Sequence, residues 1–304
     1  MDRNSAYYKQ VQLLMQVLPF VAKQECFALK GGTAINLFVR EFPRLSVDID
    51  LVYLPMKSRD EALQEISEAL DAISADLKAA FKDIVLTQAY KSKRDARRLI
   101  VVRNGVQVKV ELFPVLRGTV YEPQLMEVCA AVEDEFGYVE VPVVALADLY
   151  AGKICAALDR QHPRDLFDVK WLLENEGLTD EIRKALIVYL SSHNRPMTEL
   201  LRPQFKDISA IYAGEFAIMA ETDIPLEELV TVRERLVELI HQGLTDSEKG
   251  FLLSFKKREP DWALLSLNNV SELPAIKWKQ INLARMPDDK HKQAIEKLKE
   301  VLGV

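Results

Sequence analysis

The chain has 304 residues, 49% of them hydrophobic and 28% charged, and a formal net charge of −6. That length supports one large domain or two moderate ones, and the acidic balance excludes a general positive coat for nonspecific nucleic-acid binding. Three cysteines without CxxC spacing exclude a disulfide framework or zinc knuckle, and the absence of an apolar run of roughly 18 residues predicts a cytoplasmic chain with no membrane partner.

Residues 5–24 carry Val11, Leu14, Leu18 and Val21 near helical intervals, which predicts an amphipathic helix bent or bounded at Pro19. It is expected to support the strand Phe27–Leu29. That strand runs into Gly31-Gly32-Thr33 and then a segment with helical apolar spacing. Adjacent glycines let the backbone turn sharply and bring a phosphate close to the amides, while a helix start supplies N–H groups with no intrahelical partner. Thr33 either caps that turn or offers its hydroxyl to the phosphate.

Beyond Arg40 and Pro43 the period changes to two, and Val47-Asp48-Ile49-Asp50-Leu51-Val52 reads as a strand. Asp48 and Asp50 then share one face, with Cα atoms about 6.5–7 Å apart, while Ile49 and Leu51 take the other. Paired carboxylates on a strand are either a solvated pair or a site that meets cations, and magnesium, which takes oxygen ligands, suits the second reading. After Pro55, Ser58–Phe81 reads as a long helix with Leu63, Ile66, Leu70, Ile73 and Leu77 on its apolar face.

Strands are expected near Ile84–Tyr90 and Leu99–Arg103, the second joined by the turn signal Asn104-Gly105 to a strand starting at Val106. In that last strand Lys109, Glu111 and Phe113 alternate with Val108, Val110 and Leu112, and Pro114 is expected to stop it. If this strand lies beside that of Asp48 and Asp50, Glu111 completes a carboxylate triad able to hold one or two magnesium ions. Lys91, Lys93, Arg94, Arg97 and Arg98 form either a solvated loop or a phosphate contact for a polynucleotide, with Arg97 and Arg98 as acceptor-binding candidates.

Residues 114–140 look irregular, and the stretch from 141 is expected to become helical after Pro142. Lys153 lies there among Ile154, Ala156, Ala157 and Leu158, where it either snorkels to solvent or reaches a nucleotide triphosphate. Arg160, seven residues on, extends the same face. Arg164 and Asp168 are spaced as an i,i+4 ion pair, and they are also candidates for acceptor contact; Asp168 could instead orient Lys153 or Arg164. Asp165 is expected mainly to cap its helix. Asn175-Glu176-Gly177 ends a first domain, 1–175, and 176–304 reads as a mostly helical second domain. Within it, Lys256, Lys257, Arg258, Lys277, Lys279 and Arg285, with Trp262 and Trp278, are either helix ends and core or RNA contacts.

The order GGT, helix, Asp48-x-Asp50 on a strand and Glu111 on a later strand resembles the active site of the DNA polymerase beta-like nucleotidyltransferases. More closely, GGTAINLFVREFPRLSVDID, VKVELF and LADLYAGKICAALDRQHPRDLFDVKWL resemble the AbiEii/AbiGii-type nucleotidyltransferase toxins over about residues 10–175. The endings GFLLSFKKREPDWALLSL and LPAIKWKQINLARM resemble that group's C-terminal portion. The resemblance implies an α+β fold, with a nucleotidyltransferase-like mixed sheet, flanking helices and a mostly helical C-terminal region.

It also implies magnesium-dependent transfer of a nucleoside monophosphate from an NTP to an acceptor hydroxyl. Asp48, Asp50 and Glu111 would be metal-binding and catalytic, Gly31, Gly32, Thr33, Arg44, Ser46 and Lys153 would meet the nucleotide, and the family's lysine and following acid fall on Lys153 and Asp168. A tRNA 3′ end as acceptor and a cognate antitoxin as partner follow from the resemblance alone. The alternative is a catalytically inactive nucleic-acid-binding or antitoxin-binding protein on the same scaffold, whose binding does not depend on Asp48 and Asp50.

Overall fold

Ser5 accepts a hydrogen bond from the Tyr8 amide at 3.1 Å and starts α1, Ala6–Ala22, which buries Val11, Leu14, Leu18 and Val21. Pro19 lies inside this helix without ending it. The computed structural model describes residues 3–90, 97–221 and 223–304, so Lys91, Lys93 and Arg94 lie outside the described residues. The chain divides into two compact units, the first made of Met1–Ala145 with Ala217–Asp223 and the second of Leu146–Phe216 with Ile224–Val304. The division falls at 145/146 rather than at the expected 175, because the helix carrying Lys153 packs on helices that follow it.

The first unit is built on a seven-stranded mixed sheet. Its strands are β1 (Phe27–Lys30), β2 (Asp48–Tyr53), β3 (Ile84–Tyr90), β4 (Arg97–Arg103), β5 (Val106–Arg117), β6 (Gln124–Glu127) and β7 (Glu140–Val143), in spatial order β3-β4-β5-β2-β1-β7-β6. β2 runs parallel to β5 and antiparallel to β1, and β7 runs parallel to β1. Leu29, Ile49, Leu51, Leu99, Val101, Val108, Val110 and Leu112 occupy one face and are buried. α1 and α3 (Arg59–Ala80) pack against strands of this sheet, which leaves the chemistry-bearing side chains on the opposite face. α3 is started by a capping box between Ser58 and Glu61 and buries Ile66, Leu70, Ile73 and Leu77.

The Asn104-Gly105 turn is where the sequence places it, with φ of 51° and 76°, and it pairs Arg103 with Val106. Two other expectations change. β5 continues through Pro114 to Arg117, because the register with β2 shifts between Leu51 and Tyr53 and so accommodates a residue without an amide donor. Glu140–Val143 is a strand, and the helix starts only at Leu146, since Val141 and Val143 are buried in the sheet with Leu29 as cross-strand neighbour.

Between the β1–β2 elements, α2 (Gly31–Ala34) continues as a wider turn of helix over Ile35–Val39, closed by Arg40 N–H to Ile35 O at 2.8 Å. Residues 217–221, inside the stretch read as a mostly helical second domain, instead return to the sheet unit: Leu45 N–H meets Met219 O, Glu221 N–H meets Pro43 O, and Arg44 bridges Ala220.

The second unit is helical among its described residues. After a short α4 (Ala130–Phe136) in the first unit, it comprises α5 (Leu146–Asp159), α6 (Pro163–Glu174), α7 (Asp180–Ser192), α8 (Met197–Leu201) and the later helices Leu226–Gly243, Asp246–Lys256, Pro274–Ala284 and Asp288–Leu302, with short helical turns between them. α5 packs on α6 and α7. Several residues weighed as RNA contacts serve this packing. Arg258 donates to the carbonyls of Leu283 and Met286 at 3.0 and 2.6 Å, Lys279 donates to the His193 and Arg195 carbonyls just past α7, and Trp262 lies against Phe251 and Phe255. Trp278 stays exposed. No helix among the described residues is long and apolar enough to cross a membrane.

Candidate active site

Strand register decides which side chains can meet. Asp50 pairs with Glu111 and Asp48 with Lys109 across β2–β5, so all four project from the same face as Phe113. From β1, Lys30 pairs with Asp50; from β4, Arg98 pairs with Glu111. The three acids expected at a metal site therefore share a sheet face, and three cations from neighbouring positions share it with them. Sequence reasoning did not identify Lys30 and Lys109, whose placement becomes visible only once strand pairing is known.

The glycine turn abuts these acids. Gly31 has φ +76°, and a Cβ built on it would lie 2.7 Å from Asp50 Oδ2, closer than side chains can pack. A Cβ on Gly32 would meet Arg44 Nη2 at 2.7 Å and Ser46 Oγ at 2.8 Å. The two missing side chains are thus the space into which an acid, a guanidinium and a hydroxyl converge, and Arg44 and Ser46 are both buried there. Thr33, fully buried, donates to the Asp48 carbonyl oxygen at 2.5 Å and shares a 3.1 Å hydrogen bond with Ser46. Its hydroxyl thereby ties the start of β2 to the turn, a task the sequence did not foretell.

Two of the three acids have a counter-charge. Glu111 is ion-paired with Arg98, which was expected to contact an acceptor. Burial lowers the Lys30 ammonium from the ordinary lysine range while Asp50 opposes that shift, and the same ammonium lies 5.7 Å from the Phe113 ring centre. Among the described residues no three Asp, Glu, His or Cys side chains are gathered to hold a metal ion. The donor set nevertheless fits a hard divalent cation: three carboxylates, no sulfur or imidazole, register neighbours on one face, and a glycine whose missing Cβ leaves Asp50 its room. Asp48, Asp50 and Glu111 are the residues that would hold such a cation.

In the second unit, Lys153 is 7% exposed and does not snorkel. Its ammonium lies 3.0 Å from Asp165 Oδ1 and 2.8 Å from Asp168 Oδ2, and Arg160 engages Asp165 through Nε and Nη2 at 2.5 and 2.8 Å. Burial pushes the Asp165 carboxyl up, but Lys153 and Arg160 outweigh it and hold it well below the usual carboxylate range. Asp165 is therefore no simple cap; His162 caps α6 by accepting from the Arg164 amide at 3.1 Å. The buried acid was hidden because Asp in a first helical turn is ordinary, and only the packing of α5 on α6 brings it to Lys153. Arg97 begins β4, and Arg164 is half-buried in the first turn of α6.

The model of the family described as nucleotidyl transferase AbiEii toxin, type IV toxin–antitoxin system, matches residues 12–279. Among solved structures the fold is similar to that of MenT4, a nucleotidyltransferase toxin of Mycobacterium tuberculosis H37Rv. The TM-score is 0.61 with 14% identity, covering 92% of this chain and 95% of that one. No curated protein sequence matches.

Proposed function

We propose, for a chain that belongs to the AbiEii family of nucleotidyl transferase toxins, that it transfers a nucleoside monophosphate from an NTP to the 3′ end of a tRNA. The acceptor oxygen bonds to the α-phosphorus, the bond to the bridging oxygen breaks, and pyrophosphate leaves with that electron pair. The observation that carries this reading is the register that sets Asp48, Asp50 and Glu111 on one sheet face with Asp50 against the Gly31 turn. Asp48, Asp50 and Glu111 would hold magnesium, which when bound would supply charge to offset the build-up on the phosphates.

The chain's own residues do the rest. The amides at the Gly31–Thr33 helix start are assigned to the triphosphate, with Arg44 and Ser46 beside Gly32 as its polar neighbours. Thr33 positions Asp48 through the backbone. Lys153 and Asp168 are assigned to nucleotide use, and Arg97, Arg160 and Arg164 to acceptor contact. Arg98 is removed from the acceptor list, since its guanidinium serves Glu111. A cognate antitoxin is the expected protein partner, consistent with the family's type IV toxin–antitoxin description.

The acceptor is tested with α-labelled NTPs, magnesium and three acceptor pools: intact tRNA, tRNA whose terminal diol has been oxidised by periodate, and total protein. Label in intact but not in oxidised tRNA is the expected result. Label in protein alone, or equal label in both tRNA pools, refutes the 3′-end assignment. RNA retention without any label transfer, unchanged in Asp50→Ala, would instead mark a binding protein on this scaffold.

A further inference from the structure

Glu111 has two neighbours with opposite demands. Asp50 stands opposite it on β2, where the two carboxylates would share a cation, and Arg98 stands opposite it on β4, where the side chains are ion-paired. The pair is largely shielded, with 23% of the Arg98 side chain and 15% of the Glu111 side chain exposed. It is also incomplete: Arg98 Nε is buried with no hydrogen-bond partner among the described residues. An arginine serving only to lock a carboxylate in place would be expected to satisfy its buried donors, because an unmet one is costly. The other two acids follow the same pattern in register, Lys30 opposite Asp50 and Lys109 opposite Asp48, but of the three cations Arg98 is the one on a strand that lies beyond β5, where its register neighbour is Glu111.

We propose that Arg98 is a positioning residue that competes with the divalent cation for Glu111. It holds this carboxylate away from the ion, so that cation binding in the absence of nucleotide rests on Asp48 and Asp50. An incoming triphosphate offers the guanidinium another anionic partner, and Glu111 is then released to the cation. The enzyme is thereby kept from completing its cation site before a nucleotide is present. This inference rests on the metal reading given under Proposed function.

Free Mn2+ binding, measured by electron paramagnetic resonance without nucleotide, tests it on the full chain. Arg98→Met is expected to bind Mn2+ roughly tenfold tighter than wild type, the scale of one nearby charge removed from a competing contact; Arg98→Lys should stay near wild type. In a Glu111→Gln background, Arg98→Met should tighten binding little. A folded Arg98→Met with unchanged or weaker Mn2+ binding overturns the proposal, and so does equal tightening in the Glu111→Gln background, which would reveal only a general loss of positive charge. Should Arg98→Met fail to fold by circular dichroism, Arg98→Gln carries the same comparison. Asp50→Asn separates the two claims. If it binds Mn2+ like wild type, the metal reading itself fails; if it loses binding while Arg98→Met gains none, only the role of Arg98 falls.

Discussion

Gly31→Ala perturbs the site through two separable effects. The alanine must adopt φ near the +76° of Gly31, which for a residue with a Cβ costs about 1–2 kcal/mol. Its Cβ would also stand 2.7 Å from Asp50 Oδ2, so the carboxylate has to move before the chain can fold around it. Gly105→Ala isolates the first effect, because Gly105 has the same φ of +76° but nothing within 4 Å of the added Cβ.

Gly105→Ala should therefore lose about 1–2 kcal/mol, a fall in Tm of roughly 2–8 °C for a unit of this size, and Gly31→Ala should lose more because the displaced carboxylate adds to the same backbone cost. Only Gly31→Ala should also lose nucleotide transfer. Gly32→Ala makes a third case, with no positive φ but with Arg44 Nη2 and Ser46 Oγ in the way. Differential scanning calorimetry and initial transfer rates, read on all three, check the reasoning. Equal transfer by Gly31→Ala and Gly105→Ala would show that the closeness of the turn to Asp50 has no catalytic meaning.

Thr33→Val keeps the shape but leaves the Asp48 carbonyl without its side-chain donor, and should cost about 1–3 kcal/mol in urea denaturation, with a lower transfer rate as β2 loosens. Lys153→Met leaves Asp165 and Asp168 buried without their shared ammonium, so a loss of about 3–5 kcal/mol is expected in the same assay; a loss below about 1 kcal/mol would mean that the cluster relaxes to solvent. Because the folded pKa of Asp165 is depressed, its stabilisation is present above the unfolded value near ~3.9 and is lost as pH falls below it toward the folded value. Urea midpoints from pH 6 downward should thus drop steeply below about pH 4, and Asp165→Asn should flatten that drop. Arg97→Glu should weaken acceptor affinity at low and moderate salt with NTP use unchanged; equal affinity for RNA at both salts would remove Arg97 from the acceptor surface.

How much of this was legible beforehand depends on what each pattern encodes. The period of two in Val47–Val52 and Val106–Leu112 announced both strands and the faces of Asp48, Asp50 and Glu111, because side-chain alternation is local. That the Glu111 strand lies beside the Asp48–Asp50 strand was an expectation; that Asp50 stands opposite Glu111 is set by the parallel register of β2 and β5. Lys30 and Lys109 went unrecognised since register is a property of two strands and not of one. β6 and β7 were missed because four-residue strands carry too little alternation, and Val141-Pro142-Val143 runs straight into a helical pattern. Asp165 read as a cap for a related reason: its burial comes from α5 lying on α6, which no local window contains. The return of residues 217–223 to the sheet unit is long-range in the same sense.

The most direct test of the three-acid site is transfer of label from each α-labelled NTP, with magnesium, to total RNA by wild type and by folded Asp50→Ala. Wild type should label RNA with at least one NTP, and Asp50→Ala should fall by at least about a hundredfold with its circular dichroism unchanged. A folded Asp50→Ala that labels RNA at the wild-type rate would contradict the account, since the acid held between Lys30, Glu111 and the Gly31 turn would then play no part in the reaction.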